Sequence, residues 1–118
     1  MQGNIKLEIQ DIASSEIKLV RITGELDVTS AGSFKQTVGS YIDSGFINLI
    51  FDLENLGFID SIGNLSLVNI YMKAKRAGGE FKFFGINDNI KEVLNVIGTA
   101  KIIPIYESLE EALLDFKK

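Results

Sequence analysis

The sequence contains no cysteine, no histidine and a single proline, Pro104. Without cysteine there are no disulfides, and without cysteine and histidine the thiolate, imidazole and mixed zinc sites are all excluded. Without histidine, nucleophile–histidine catalysis is excluded as well. Only carboxylates are left to hold a metal, and they are not clustered at the spacing of a calcium loop. Gly57 and Gly63 lack the spacing of a P-loop or dinucleotide loop, and there is no Gly-x-Ser-x-Gly. No apolar run approaches the length of a bilayer span, and Met1-Gln2-Gly3-Asn4 opens no signal peptide. A soluble, cytoplasmic domain is the expectation.

Positive charge is also in short supply. Lysine and arginine number 12 against 16 acidic residues, a net charge of −4. Nucleic-acid binding, which draws on a cationic surface to displace counterions, is disfavoured. The nearest approach to a basic cluster, Lys73, Lys75 and Arg76, falls at a helix end, where cations suit the dipole. What the chain does have is apolar substance, 46% of its 118 residues. That argues against disorder. The length fits one domain over residues 1–118, with about two-thirds of its unfolded surface buried.

Ile5, Leu7 and Ile9 alternate with polar residues as in a half-buried strand. Turn residues from Asp11 to Ser15 lead to a second strand, Ile17 to Thr23, and the short connection favours an antiparallel hairpin. Thr29 or Ser30 can cap a helix over Ala31 to Ser44, stopped by Gly45. Phe46 to Leu53 is apolar on both faces, as in a covered parallel strand. A long helix from about Ile62 to Ala77 follows, with Leu65, Val68 and Met72 on one line and Leu67, Ile70, Tyr71 and Ala74 widening the stripe. Glu80 to Ile86 reads as a strand. Asn87 or Asp88 caps a third helix ending at Gly98. Lys101 to Tyr106 reads as a short strand in which Pro104 marks an edge or an end. Ser108 and Glu111 form a capping box for a last helix. The order β-β-α-β-α-β-α-β-α gives an α/β fold: a mixed, mainly parallel sheet of about five strands with four helices.

Leu56-Gly57-Phe58-Ile59-Asp60-Ser61-Ile62-Gly63-Asn64-Leu65 joins the most apolar strand to the most apolar helix. Asp27, Asp52 and Asp60 fall near the C-terminal ends of strands, where paired carboxylates can do acid–base work. Such aspartates more often cap helices or stay solvated, and a small hydrolase built on them is the weakest of the functional readings. Ser61 has two compatible readings. Asp60 or Ser61 can cap the helix, a contribution of about 1 kcal/mol. Ser61 can also accept a phosphate, whose charge the helix N-terminus favours and Asp60 and Asp27 oppose. The residue pattern does not choose between them.

Three stretches carry a resemblance. Ile22-Thr23-Gly24-Glu25-Leu26-Asp27, Phe58-Ile59-Asp60-Ser61-Ile62-Gly63 and Asn89-Ile90-Lys91-Glu92-Val93-Leu94 with Ile97-Gly98 resemble the STAS domain, more narrowly the bacterial anti-sigma factor antagonists. The resemblance implies a non-enzymatic binding protein without a cofactor of its own. Its partner would be an anti-sigma factor that is also a serine kinase and supplies the ATP site. It further implies that Ser61 is the phosphoacceptor, that phosphorylation blocks binding, and that a serine phosphatase restores it. Asp27, Thr29, Asp60, Ile62, Gly63 and Asn64 would surround the phosphosite and meet the partner. The family's usual Asp-Ser-Ser-Gly-Leu-Gly differs here in having Ile62, Asn64 and Leu65. A second, STAS-like reading is a ligand-sensing or assembly subunit in which Ser61 is only a helix cap.

Overall fold

A computed structural model describes residues 4–12 and 16–116. The turn expected at Ala13, Ser14 and Ser15, and the start Met1-Gln2-Gly3, lie outside the described residues. The elements are β1 (Ile5–Ile12), β2 (Ile17–Leu26), α1 (Ala31–Asp43), β3 (Asn48–Ile59), α2 (Ser61–Arg76), β4 (Glu80–Phe84), α3 (Asp88–Ile97), a 3₁₀ turn (Thr99–Lys101), β5 (Ile105–Tyr106) and α4 (Leu109–Phe116). They form a five-stranded sheet in the order β1-β2-β3-β4-β5. The β1–β2 hairpin is antiparallel and every later pairing is parallel. Among the described residues no helix is long and apolar enough to cross a membrane.

The strands advance in one direction across the sheet, so right-handed crossovers place α1, α2 and α3 on one face. Alternation along β3 sends Leu49, Phe51 and Leu53 into that layer, against Phe34, Val38, Leu67, Ile70, Ile90 and Leu94. Phe51 stands at its centre, with ring centroids 4.5 Å from Phe81, 6.0 Å from Phe34 and 6.1 Å from Phe83. The opposite face carries Ile17, Leu19 and Ile50 and is covered by α4 through Ala112, Leu109, Leu113 and Phe116.

A lysine anchors that second layer. Lys82 is only 3% exposed. Its ammonium lies 3.2 Å from Glu80 and 3.4 Å from Asp115, and 4.8 Å from the centre of the Phe116 ring. Tyr106 donates its hydroxyl to Asp115. Burial first, and then that carboxylate, push the Tyr106 phenol up to about 12.

Strand β4 stops at Phe84 rather than Ile86, and the larger differences from expectation are in β3, β5 and α2. β3 runs to Ile59 rather than Leu53, because β2 continues beside it to Leu26, past two irregularities in register. Backbone pairing thus holds the polar Glu54-Asn55 stretch extended. Phe46 lies outside the strand, with the Lys18 ammonium 4.1 Å above its ring. Strand β5 is only Ile105–Tyr106, since Lys101 closes a 3₁₀ turn and Pro104 precedes the strand, its carbonyl accepting from Phe83 at 2.9 Å. Helix α2 turns Leu65 and Met72 outward and buries Gly63, Asn64, Ser66, Leu67, Ile70 and Ala74. Two small polar residues hold buried positions because their hydrogen bonds are satisfied inside the protein. Ser66 donates to the Gly63 carbonyl at 2.6 Å, and Asn64 accepts from Thr99.

Replacing Phe51 by alanine leaves a cavity among three aromatic rings. The expected cost is about 3–5 kcal/mol, read as a lower urea midpoint at unchanged slope.

Candidate functional site

The C-terminal ends of β2 and β3 deliver two turns to the same place. β2 ends at Leu26 and the chain turns through Asp27, Val28, Thr29 and Ser30 into α1. Strand β3 ends at Ile59, Leu26 being its register partner, and Asp60 passes directly into α2. The Asp60 amide donates to the Leu26 carbonyl at 3.3 Å, holding the two strand ends together.

Asp60 is the N-cap of α2. Its Oδ1 accepts from the Gly63 amide at 2.8 Å and its Oδ2 from the Val28 amide at 3.1 Å. One carboxylate therefore caps the helix and ties the β2–α1 turn to it. Of the two cap candidates the cap is Asp60 and not Ser61. Ser61 is the first helical residue, exposed, and its hydroxyl has no hydrogen-bond partner among the described residues.

The turn before α1 is organised by its own side chains. Asp27 Oδ1 accepts from the Thr29 amide at 2.9 Å and from the Thr29 hydroxyl at 2.6 Å. These bonds, the Thr29 hydroxyl foremost, hold the Asp27 carboxyl below the usual carboxylate range. Ser30 occupies the N-cap position of α1 without a capping bond; instead its Oγ accepts from the Asp27 amide at 3.0 Å and donates to the Glu25 carbonyl at 2.8 Å. Thr29 is bound to Asp27 and does not cap the helix either.

Gly63 faces inward. A Cβ built on it would lie 1.9 Å from the Leu26 carbonyl oxygen and 2.6 Å from its carbon. Glycine is therefore what lets the first turn of α2 press against the end of β2. Asn64 is buried, with Thr99 as its partner, so it is not part of the exposed surface expected of it. Burial inside the first turn, which the motif alone does not reveal, is the reason.

The structure thus brings Asp27, Thr29, Asp60 and Ser61 to one edge of the sheet, with Ile62 exposed beside them. Two further exposed apolar residues join them that sequence reasoning did not assign to the site. Val28 sits in the Asp27–Ser30 turn and Leu65 one turn into α2, the two being 68% and 51% exposed. A lone branched apolar residue within a capping turn was the available signal for Val28. Asp52 belongs elsewhere, paired at 3.0 Å with Arg21 on the α4 side of the sheet. The three aspartates do not converge. Among the described residues no three acidic side chains are grouped as a metal site would need.

Two expectations follow. Gly63→Ala forces Leu26 and α2 apart, at a cost of about 1–3 kcal/mol. Urea unfolding should show the loss, and amide shifts should concentrate at Leu26, Asp27 and Ser61; unchanged stability would refute this packing. Because the native Asp27 pKa lies below its unfolded value, its bonds to Thr29 support the fold above the ordinary carboxylate range. That support fades as pH falls through the native pKa. In an NMR titration of the side-chain carboxyls, Thr29→Val should move the Asp27 midpoint upward.

The geometry can be set beside known proteins. The STAS domain profile matches residues 8–112. The anti-sigma F factor antagonist of Paenibacillus polymyxa is 26% identical over 115 residues, covering 97% of this chain and 97% of its own. Among solved structures, an anti-sigma factor antagonist from Mycobacterium paratuberculosis superposes with a TM-score of 0.85 at 22% identity, over 100% of both chains. The Bacillus cell fate determinant SpoIIAA in its phosphorylated form superposes with a TM-score of 0.72 at 18% identity, over 96% of this chain and 100% of that one. Sheet order, helix placement and the matched span agree: the chain belongs to the STAS domain family.

Proposed function

We propose that this protein is an anti-sigma factor antagonist that binds a cognate anti-sigma factor and is switched off by phosphorylation of Ser61. The observation that carries the switch is the division of roles at the start of α2. Asp60 performs the capping, which leaves the Ser61 hydroxyl exposed and unengaged among the described residues. A kinase can take such a hydroxyl without first breaking the fold.

Addition of phosphate changes the surface more than the structure. A phosphoserine brings about −1.5 to −2 charges at neutral pH. The positive end of the α2 dipole stabilises part of that charge, while Asp60 and the turn carrying Asp27 oppose it. Val28, Ile62 and Leu65 are exposed and line one hollow, which Ile62 joins to Ser61. An interface built on that apolar patch would have to desolvate a dianion next to apolar side chains, and the cost appears as lost affinity. In this reading the anti-sigma factor is itself the serine kinase and supplies ATP. Release of sigma follows from competition for it, and a serine phosphatase reverses the modification. The names of the relatives, and the phosphorylated state of one neighbour in fold, support the reading.

The rival reading, a ligand-sensing or assembly subunit in which Ser61 serves only as a cap, has less support, because Asp60 already holds that role.

Incubation with the cognate kinase and ATP should give a single phosphate, mapped to Ser61 and abolished in Ser61→Ala. Ser61→Asp should weaken binding of the anti-sigma factor at least about tenfold, some 1.4 kcal/mol. Phosphate on another residue, or undiminished binding by Ser61→Asp, would overturn the assignment.

A further inference from the structure

Helices α1 and α2 lie side by side on the sheet with an open groove between them. At the end nearest Ser61 the groove is a hollow of about 150 Å³ edged by Val28, Ile62 and Leu65. Farther along α2 it widens into a hollow of about 320 Å³ edged by Met72, Lys73 and Arg76. Lys35 and Asn69 line both, so the two hollows form one continuous groove. From Ile62 to Arg76 it follows about 21 Å of helix, roughly four turns.

The two ends differ in chemistry. The first is apolar and exposed, with Val28 at 68%, Leu65 at 51% and Ile62 at 44%. The second is basic on a chain whose net charge is −4. Lys73 is held by Asp43 at 2.8 Å, while Lys35 and Arg76 have no ion-pair partner among the described residues.

The floor supplies an independent observation. Gly32 in the first turn of α1 and Gly39 in its interior stand two turns apart, and Gly32 lines the apolar hollow while Gly39 lines the basic one. Glycine weakens a helix interior relative to alanine. Nothing lies within 4 Å of a Cβ built on Gly32, and the nearest atom to one on Gly39, the tip of Lys73, is at an ordinary 3.8 Å. Packing within the chain therefore demands glycine at neither position. Both keep the floor of the groove low, as the close approach of another backbone requires.

The geometry points to this groove as the docking site for an amphipathic helix of a partner protein, with bulky apolar side chains over Val28, Ile62 and Leu65 and Asp or Glu side chains over Lys35 and Arg76. Complementary charge fixes the direction of the helix, and the apolar end brings it against Ser61. The inference rests on the antagonist reading and names the chemistry of the partner that the reading requires. It also makes Ile62 and Leu65 determinants of partner choice.

A synthetic helical peptide of about 15 residues, leucine-rich at one end and glutamate-rich at the other, serves as the probe. It is titrated into the full chain and followed by amide NMR. Binding should saturate, with shifts confined to Gly32, Gly39, Ile62, Leu65 and Asn69 and their neighbours. A peptide with lysine in place of glutamate should bind at least tenfold more weakly. The double variant Gly32→Ala/Gly39→Ala should melt no lower than the parent yet lose at least tenfold in affinity. Lys35→Glu/Arg76→Glu should reverse the preference toward the lysine peptide. Shifts outside the groove, equal affinity for the two peptides, or full binding by the alanine variant would overturn the proposal. So would a concentration-dependent dimer in sedimentation that the alanine variant abolishes, since the groove would then hold a second copy of this chain. The probe needs no kinase, so failure here is distinct from failure of the Ser61 assignment.

Discussion

The carboxylate of Asp60 is the tie on which the edge carrying Ser61 depends. One oxygen takes the Gly63 amide and the other the Val28 amide, so a single side chain joins the start of α2 to the turn before α1. Hydrogen bonds to a charged acceptor contribute about 1.5–3 kcal/mol each, and here both act on backbone. Behind them the bare Cα of Gly63 rests on the Leu26 carbonyl, which leaves the junction no slack. Ser61 is placed by its neighbours, with no bond of its own hydroxyl spent on the fold. Altering that hydroxyl therefore breaks no hydrogen bond among the described residues.

The two faces of the sheet divide the remaining work. The face under α1, α2 and α3 is a dense apolar layer centred on Phe51, and it gives the parallel strands a rigid end from which the turns project. The face under α4 tolerates charge, but only in satisfied pairs: Arg21 with Asp52, and Lys82 with Glu80 and Asp115. Removing Arg21 would strand the buried Asp52 carboxylate, and removing Glu80 with Asp115 the buried Lys82 ammonium, in a poor solvent for charge. Surface chemistry at the Ser61 edge is therefore insulated from the buried electrostatics beneath α4, by the thickness of the sheet.

Periodicity and punctuation carried most of the fold. Alternation marked β1, the glycines after α1 and α3 marked helix ends, and Asn87 and Ser108 took the capping roles that their positions implied. The errors have physical causes. Of the apolar stripe expected along α2, Leu67, Ile70 and Ala74 are buried, whereas Leu65 and Met72 face outward and the helix buries Asn64 and Ser66, whose polar groups find partners inside the protein. The Thr99 partner of Asn64 lies on a different element, and no local pattern points to it. β3 looked complete at Leu53 because its extension is held by pairing with β2, and pairing is not visible in one strand alone. At the site, Asp27, Asp60 and Ser61 were legible as a motif, and so was the choice of roles open to Ser61. Which residue capped α2 depended on where the backbone passes from extended to helical, at Asp60, and only three-dimensional geometry decides that.

Strand order in space equals strand order in the chain. No strand is inserted between two others, so each one is added to an edge that already exists when it arrives. As the polypeptide leaves the ribosome, the β1–β2 hairpin can form first, and every later crossover then needs only the strand immediately before it. Closure loops stay short, and the growing sheet never waits for a distant segment to complete its middle. Until β5 and α4 arrive, the newest parallel strand is the exposed edge, which makes Phe81 and Phe83 of β4 the stretch a nascent chain most needs to keep from pairing with its neighbours.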